Sequence, residues 1–224
     1  NLETTSFTPA IPAVTTTAHA TYLTGTSPTD HGNDGNGWYE REDAEVRFWK
    51  QSNHLIRGEK LWEALRREKS DFRCAKMFWW YNMYSSADWS VTPRPIYPAD
   101  GRKVFDVYAH PPGLRDELVG ELGEFPFPSF WGPRAGLPSS QWIADSARWV
   151  EEREQPDLNL VYLPHLDYGL QRWGPDASEM GAEFEAIDRL VDELISFFVK
   201  RGVEVVLLSA YGISNVRKPV HLNR

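Results

Sequence analysis

This 224-residue sequence contains one cysteine, no long apolar run and no excess of basic charge. The single cysteine, Cys74, excludes an internal disulfide framework and a cysteine-rich zinc site. Asp and Glu number 32 against 24 Lys and Arg, so the net charge is −8 and neither a nucleic-acid duplex nor an anionic membrane is an expected partner. No apolar run approaches the ~18 residues that span a bilayer. The free cysteine also favours a reducing compartment, and we expect a cytoplasmic protein.

What the sequence does contain is enough apolar surface for one domain, with 41% hydrophobic residues. Apolar runs predict buried strands at 72–80, 158–163 and 203–209. Helical spacing predicts helices at 15–24, 58–69, 141–152 and 178–200, the last capped by Asp176 with Glu179 completing a capping box. This order of strands and helices predicts an α/β fold with a mainly parallel sheet.

Residues 84–140 are rich in proline and glycine and predict an irregular excursion with one short helix near 114–122. Long irregular segments in a compact domain are usually functional or disordered, so we expect a cap or lid over the site within a single domain of 1–224. The sequence begins at Asn1 rather than Met and stops soon after an apolar run, which leaves a missing strand at either end as an open alternative.

Four segments carry polar groups suited to chemistry, and each has a plainer interpretation. Thr15 at a predicted helix start could serve as a nucleophile, or one of the threonines 15–17 caps the helix. Asn33 and Asn36 could donate amides to an oxyanion, or simply form a turn. Asp167 and His165 after a strand could bind a metal, or cap a turn, and a lone His221 beyond Tyr211 is more often structural.

In this order the segments resemble the nucleotide pyrophosphatase/phosphodiesterase branch of the alkaline phosphatase superfamily. Pro12 to Thr15, continuing to Thr24-Gly25, is similar to the nucleophile segment of that branch. The run from Asp30 to Tyr39 is similar to its HG…N…Y segment, and Tyr162…Asp167…Gly174-Pro175 to its metal-binding strand end. Residues 209–212 stand where the family has Ser/Thr-Asp-His-Gly.

The resemblance implies an alkaline phosphatase-like three-layer sandwich and two divalent metals, usually zinc. It also implies Thr15 as nucleophile, Asn36 as a donor to the phosphoryl oxygens and Asp167 as a metal ligand. The resemblance further implies a small phosphorylated or nucleotide-like substrate. It does not indicate an oligomeric state.

Several family ligands are replaced in this sequence. Gln171 stands where the family has a metal-binding His, and Ala210-Tyr211 where it has Asp-His. An early family Asp would precede Asn1, and His165 and His221 are the weaker further metal candidates. The leading hypothesis is therefore a metal-dependent phosphoryl-ester hydrolase with a degraded metal site and little turnover, and the alternative is a non-catalytic relative that binds a phosphorylated ligand.

Aromatic residues 78–81 and Trp89 precede the irregular region. Stacking on a nucleotide base is one interpretation of this cluster. Core packing is the other, and we prefer it.

Overall fold

A computed structural model describes residues 4–218 and 220–221 of the chain. The helices are α1 (Thr15–Thr24), α2 (Pro28–His31), α3 (Leu61–Glu68), α4 (Leu114–Leu122), α5 (Leu137–Glu154), α6 (His165–Trp173) and α7 (Met180–Val199). The strands are β1 (Gly37–Glu40), β2 (Glu45–Phe48), β3 (Cys74–Met77), β4 (Trp89–Pro93), β5 (Val107–His110) and β6 (Leu158–Val161). Across these described ranges, no helix combines the length and the apolar character needed to cross a membrane.

The central sheet has the strand order β5-β4-β3-β6. Strand β3 pairs in parallel with β4 and with β6, and only the β4–β5 pair is antiparallel. The predicted α/β class with a mainly parallel sheet is thereby confirmed.

Helices cover both faces of this sheet. Side chains alternate between the two faces along β3, and each set packs against a different group of helices. Ala75 and Met77 belong to the largest core cluster, together with apolar residues of α5 and α7. Cys74, on the opposite face, packs against Trp62 of α3 and Leu23 of α1. The result is three layers, helix, sheet and helix, with the site at the carboxyl edge of the parallel strands.

A separate two-stranded hairpin, β1–β2, brings Asn36, which precedes it, next to Trp49, which follows it. The backbone N–H of Trp49 donates to the carbonyl of Asn36 at 2.9 Å. Gly37 opposes Phe48 in the ladder, and a Cβ at Gly37 would lie 2.3 Å from the Phe48 ring. A side chain at position 37 would therefore displace the exposed Phe48 ring from its place in the hairpin.

The prediction of a strand at 203–209 is wrong. These residues form no strand in the described chain, and Val206 and Leu207 are 76% and 69% exposed. An apolar run becomes a strand only where a neighbouring strand takes up its N–H and C=O groups, and none of the described strands does so here.

The irregular conformation predicted for 84–140 is also wrong in part. Both β4 and β5 lie in this region and belong to the central sheet, although the helix predicted near 114–122 forms as α4. The lid function stays a prediction, and Phe130 to Gly132 are among the residues of this region that reach the cavity described below.

Two further expectations concern single residues. Asp176 does not cap α7, which starts after Glu179 without a side-chain cap, and instead accepts a hydrogen bond from Asn215. Cys74 is completely buried, and burial raises the pKa of its thiol to about 12. Its thiol is therefore an unreactive core group, and the cytoplasmic location stays a prediction.

Candidate active site

Thr15 is the first residue of α1, and its side chain lines a cavity of about 400 Å³. The N-cap of this helix is Val14, which offers no side-chain oxygen. None of the threonines 15–17 therefore caps the helix, and that plainer interpretation is wrong. The backbone N–H groups of the first turn of α1 create a positive potential that favours an anion beside Thr15.

Two asparagines fix the start of α1. Asn36 accepts a hydrogen bond from the backbone N–H of Thr16 at 3.1 Å through its Oδ1. Asn33 is buried, and its Oδ1 accepts from the hydroxyls of Thr16 and Thr17 at 3.2 and 3.1 Å while its amide donates to the Tyr81 hydroxyl. Both the oxygen and the amide of Asn33 are thus taken up by hydrogen bonds within the fold, whereas the Asn36 side chain forms one bond through its oxygen, and its role as an oxyanion donor stays a prediction.

The Tyr211 hydroxyl joins Thr15 to Asp167. It donates to Asp167 Oδ2 at 2.5 Å and lies 3.1 Å from Thr15 Oγ1. Burial raises the pKa of Tyr211 well above its ordinary value, with the nearby Asp167 carboxyl adding to the shift. Because the single phenolic proton goes to Asp167, the Thr15 hydroxyl must donate to Tyr211.

Burial also raises the pKa of Asp167, and the hydrogen bond from Tyr211 opposes that shift. Thr15 and Asp167 line the cavity, whereas Tyr211 binds both of them and Asn36 binds the next residue, Thr16. We call these four residues, Thr15, Asn36, Tyr211 and Asp167, the polar side of the cavity.

Another part of the cavity lining is aromatic. The Trp49 and Trp80 rings lie 4.9 Å apart between centroids, and Trp131 meets Trp49 edge-on at 5.9 Å. All three line the cavity, and we call them the aromatic wall. The core packing predicted for the aromatic cluster is confirmed for residues 78–81, all of which are buried in core clusters, and Trp89 packs against the largest of these clusters. Trp80 also lines the cavity, so it belongs both to the core and to this wall.

The side chains around Thr15 do not fit a two-zinc centre. Within residues 4–218 and 220–221, no three His, Cys, Asp or Glu side chains are grouped so that they could hold a metal ion. Gln171 lines the cavity beside Asp167, but a neutral amide is a poor zinc ligand, and Ala210 offers no donor.

The two histidine candidates lie elsewhere. His165 is buried at the start of α6, and its Nε2 lies 2.8 Å from Glu183 Oε2 of α7. Burial lowers the pKa of His165, and Glu183 partly offsets the shift. His221 is exposed in the described chain end. The structure brings neither of them to the cavity lining, and their role as ligands stays a prediction.

Comparison with known sequences decides the family. A sequence model described as type I phosphodiesterase / nucleotide pyrophosphatase matches residues 2–224. The chain belongs to this family. An uncharacterised pyrophosphatase/phosphodiesterase of Schizosaccharomyces pombe is 24% identical over 216 residues, covering 92% of this chain and 37% of the relative.

Solved structures share the fold. The alkaline phosphatase PafA superposes with a TM-score of 0.65 at 13% identity, over 86% of this chain and 51% of its own. Murine ectonucleotide pyrophosphatase/phosphodiesterase 5, an inactive variant in complex with AMP, gives 0.53 at 12% identity, over 87% and 43%. The phosphonoacetate hydrolase of Sinorhizobium meliloti, bound to phosphonoformate, gives 0.52 at 15% identity, over 84% and 44%. This chain thus spans about half or less of the length of the proteins it matches, and the resemblance to the alkaline phosphatase superfamily is confirmed.

Sequence reasoning missed two parts of the site. Trp49 and Trp131 lie outside every motif, and nothing local distinguishes them from core residues. Tyr211 was identified only as a substituted ligand position, and its direct contact with Thr15 could not be read from residues 196 positions apart.

Proposed function

We propose that this chain forms the nucleophile-bearing part of a phosphoryl-ester hydrolase of the phosphodiesterase/nucleotide pyrophosphatase type. The observation that carries the proposal is the position of Thr15, which begins a helix, lines the cavity and is held through Tyr211 to Asp167. The family match and the fold support the same reaction class.

Each residue of the polar side has a part in this proposal. Since the Thr15 hydroxyl donates to Tyr211, its lone pairs are free for phosphorus, and its Oγ1 is oriented for attack. The new Oγ1–P bond forms as the bond from phosphorus to the leaving oxygen breaks. The Thr15 proton passes to the Tyr211 oxygen as the Tyr211 proton passes to Asp167, and the leaving alkoxide takes a proton from water. The N-terminus of α1 and the amide of Asn36 stabilise the negative phosphoryl oxygens. Water then cleaves the phosphothreonine and restores Thr15.

The substrate of this proposal is small and phosphorylated. The cavity volume suits one nucleotide-sized ligand, and Arg172 on its lining supplies positive charge for a phosphate. The aromatic wall offers flat apolar surfaces for the group esterified to that phosphate. A divalent metal, zinc above others, remains the family expectation, but the described residues supply Asp167 without the further ligands, and no step here is routed through an ion.

A second candidate function is binding without turnover. It is favoured by the side chains around Thr15, where an alanine and a tyrosine stand at ligand positions and one carboxylate remains. In that case the cavity retains a phosphorylated ligand, and Thr15 serves only as a hydrogen-bonding group.

One set of variants separates these functions. Hydrolysis of a chromogenic phosphodiester with zinc or manganese is measured for the unaltered chain, Thr15→Ala and Ala210→Asp, alongside AMP binding by calorimetry. Slow turnover that vanishes in Thr15→Ala and rises in Ala210→Asp supports the hydrolase. AMP binding without turnover dependent on Thr15 supports the binding protein, and the absence of both turnover and AMP binding refutes the proposed function.

A further inference from the structure

A completely buried lysine, Lys76, lies in the middle of β3, although neither the fold nor the proposed chemistry uses its charge. Its neighbours along the strand are Cys74, Ala75 and Met77. Among the described residues, no carboxylate oxygen forms an ion pair with its ammonium group, which binds a backbone carbonyl instead. A buried and unpaired charge disfavours folding, so its presence needs another explanation.

Two contacts surround the ammonium group. Lys76 Nζ donates a hydrogen bond to the carbonyl oxygen of Tyr81 at 3.1 Å. It also lies 4.6 Å from the centroid of the Trp62 ring, which is itself completely buried. The carbonyl oxygen and the face of the indole are both electron-rich, so both attract the charged form.

The carbonyl that Lys76 binds belongs to a strained loop after β3. Phe78, Tyr81 and Tyr84 have φ values of 59°, 65° and 60°, a left-handed conformation that bulky residues rarely adopt. Such a conformation persists only when its surroundings hold it. Asn53 supplies a second donor to the same Tyr81 carbonyl, again at 3.1 Å.

The same loop supplies both sides of the cavity. Trp80 stands in the aromatic wall, and the Tyr81 hydroxyl receives the amide of Asn33, which in turn accepts from the hydroxyls of Thr16 and Thr17. A rotation of the Tyr81 carbonyl would displace these two side chains together. We propose that Lys76 is a positioning residue that holds this carbonyl and thereby sets the aromatic wall and the start of α1 for ligand binding.

The charge of Lys76 makes this positioning sensitive to pH. Burial lowers the pKa of Lys76 to about 7. The groups that face it are Cys74, Lys60, Glu63 and His19. Burial raises the pKa of Cys74 to about 12 and lowers the pKa of His19 to about 3, so both stay neutral around pH 7. As the pH rises through about 7, Lys76 becomes a neutral amine, and a neutral donor holds the carbonyl less strongly.

The experiment compares Lys76→Met with Lys60→Met in the full chain. Lys60 is a second buried lysine whose Nζ binds the carbonyls of Ile56 and Gly58 rather than the loop. The readouts are the Kd for AMP, the near-ultraviolet circular dichroism between pH 6 and 8 without ligand, and urea denaturation at pH 6.

For Lys76→Met we expect AMP binding about fivefold to tenfold weaker. We also expect loss of the spectral transition near pH 7 that the unaltered chain shows. Resistance to urea at pH 6 should be unchanged or greater, because a buried charge has been removed. A merely structural role would instead lower stability and leave the pH transition in place. Lys60→Met should keep the AMP affinity and the transition, with the midpoint of the transition at a higher pH, because the charge of Lys60 lowers the pKa of Lys76.

Unchanged AMP affinity and an unchanged pH transition in Lys76→Met would overturn the proposal. Should that variant fail to fold, Asn53→Ala removes the other donor to the Tyr81 carbonyl and should weaken AMP binding in the same direction; no effect there also overturns it. The inference rests on the proposed function only through AMP. A chain that never binds AMP, yet shows the transition and loses it in Lys76→Met, refutes the proposed function and leaves Lys76 as the residue that fixes the loop.

Discussion

On the polar side of the cavity, hydrogen bonds join Tyr211 to Thr15 and Asp167, and behind it buried hydrogen bonds join Asn33 to Thr16 and Thr17. On the aromatic wall, by contrast, three indole rings meet by packing. Hydrogen bonds fix the atoms they join within a narrow range of distance and angle, as bond formation at Thr15 requires. Ring packing tolerates small shifts, as binding of a variable group requires. The comparison therefore predicts that substitutions on the polar side mainly lower turnover, whereas substitutions in the aromatic wall mainly lower ligand affinity.

The largest expected effect is that of Thr15→Ala on turnover. Loss of the attacking oxygen should reduce hydrolysis of a chromogenic phosphodiester to background, roughly 10³-fold or more where the signal allows. The Kd for AMP should change by less than about threefold, because the aromatic wall is intact. Thr24→Ala, at the other end of α1, is the matched control and should behave as the unaltered chain.

Asn33→Leu should have the next largest effect, and on stability. It leaves the hydroxyls of Thr16, Thr17 and Tyr81 buried without their partner, and we expect a loss of about 3 kcal/mol in the free energy of unfolding. Urea denaturation measures this loss, with the exposed Asp34→Ala beside it as control. A loss below about 1 kcal/mol would show that this network does not hold the polar side.

Trp49→Ala should weaken AMP binding about tenfold through loss of one stacking surface, while turnover at saturating substrate changes little. Calorimetry and the split between KM and kcat measure the two quantities. Trp173→Ala removes an exposed tryptophan that does not line the cavity and should leave both unchanged. A drop in kcat without a change in KM would contradict the assignment of affinity to the aromatic wall and of turnover to the polar side.

The last prediction concerns His19 and the dependence of stability on pH. This residue of α1 accepts the backbone N–H of Trp80 at 3.1 Å, and burial lowers its pKa to about 3. The unfolded chain binds the proton near pH 6.5 and the folded chain does not, so stability falls as the pH drops from about 6.5 towards 3.

The slope from His19 is about 1.4 kcal/mol per pH unit. His19→Gln should flatten the curve of unfolding free energy against pH over this range, measured by urea denaturation at pH 4.5 to 7. His54→Gln, which replaces an exposed histidine, is the control and should leave this curve unchanged. An equally steep curve in His19→Gln would show that His19 does not titrate on unfolding as its burial implies.

Elements with strong local periodicity were predictable. Helix α1 forms with the predicted bounds, α7 forms within two residues of its predicted bounds, and the strands β3 and β6 lie inside their predicted ranges. The roles of Thr15, Asn36 and Asp167 stay predictions, although the structure brings all three to one end of α1. The strands β4 and β5 escaped prediction because proline-rich flanks mask short strands whose partners come from elsewhere in the chain.

The sequence by itself determined the family, the fold class and the approximate positions of α1, α3, α4, α5 and α7, because motif order and periodicity are properties of the local sequence. Helices α2 and α6 were not predicted. Only the tertiary structure decided that 203–209 is exposed, since a strand requires a neighbour to accept its hydrogen bonds. It also decided that Tyr211 bridges Thr15 and Asp167 and that Lys76 faces the Tyr81 carbonyl. Contacts between residues distant in sequence depend on how the layers pack. Their energies depend on burial, which arises only when several segments of the chain come together.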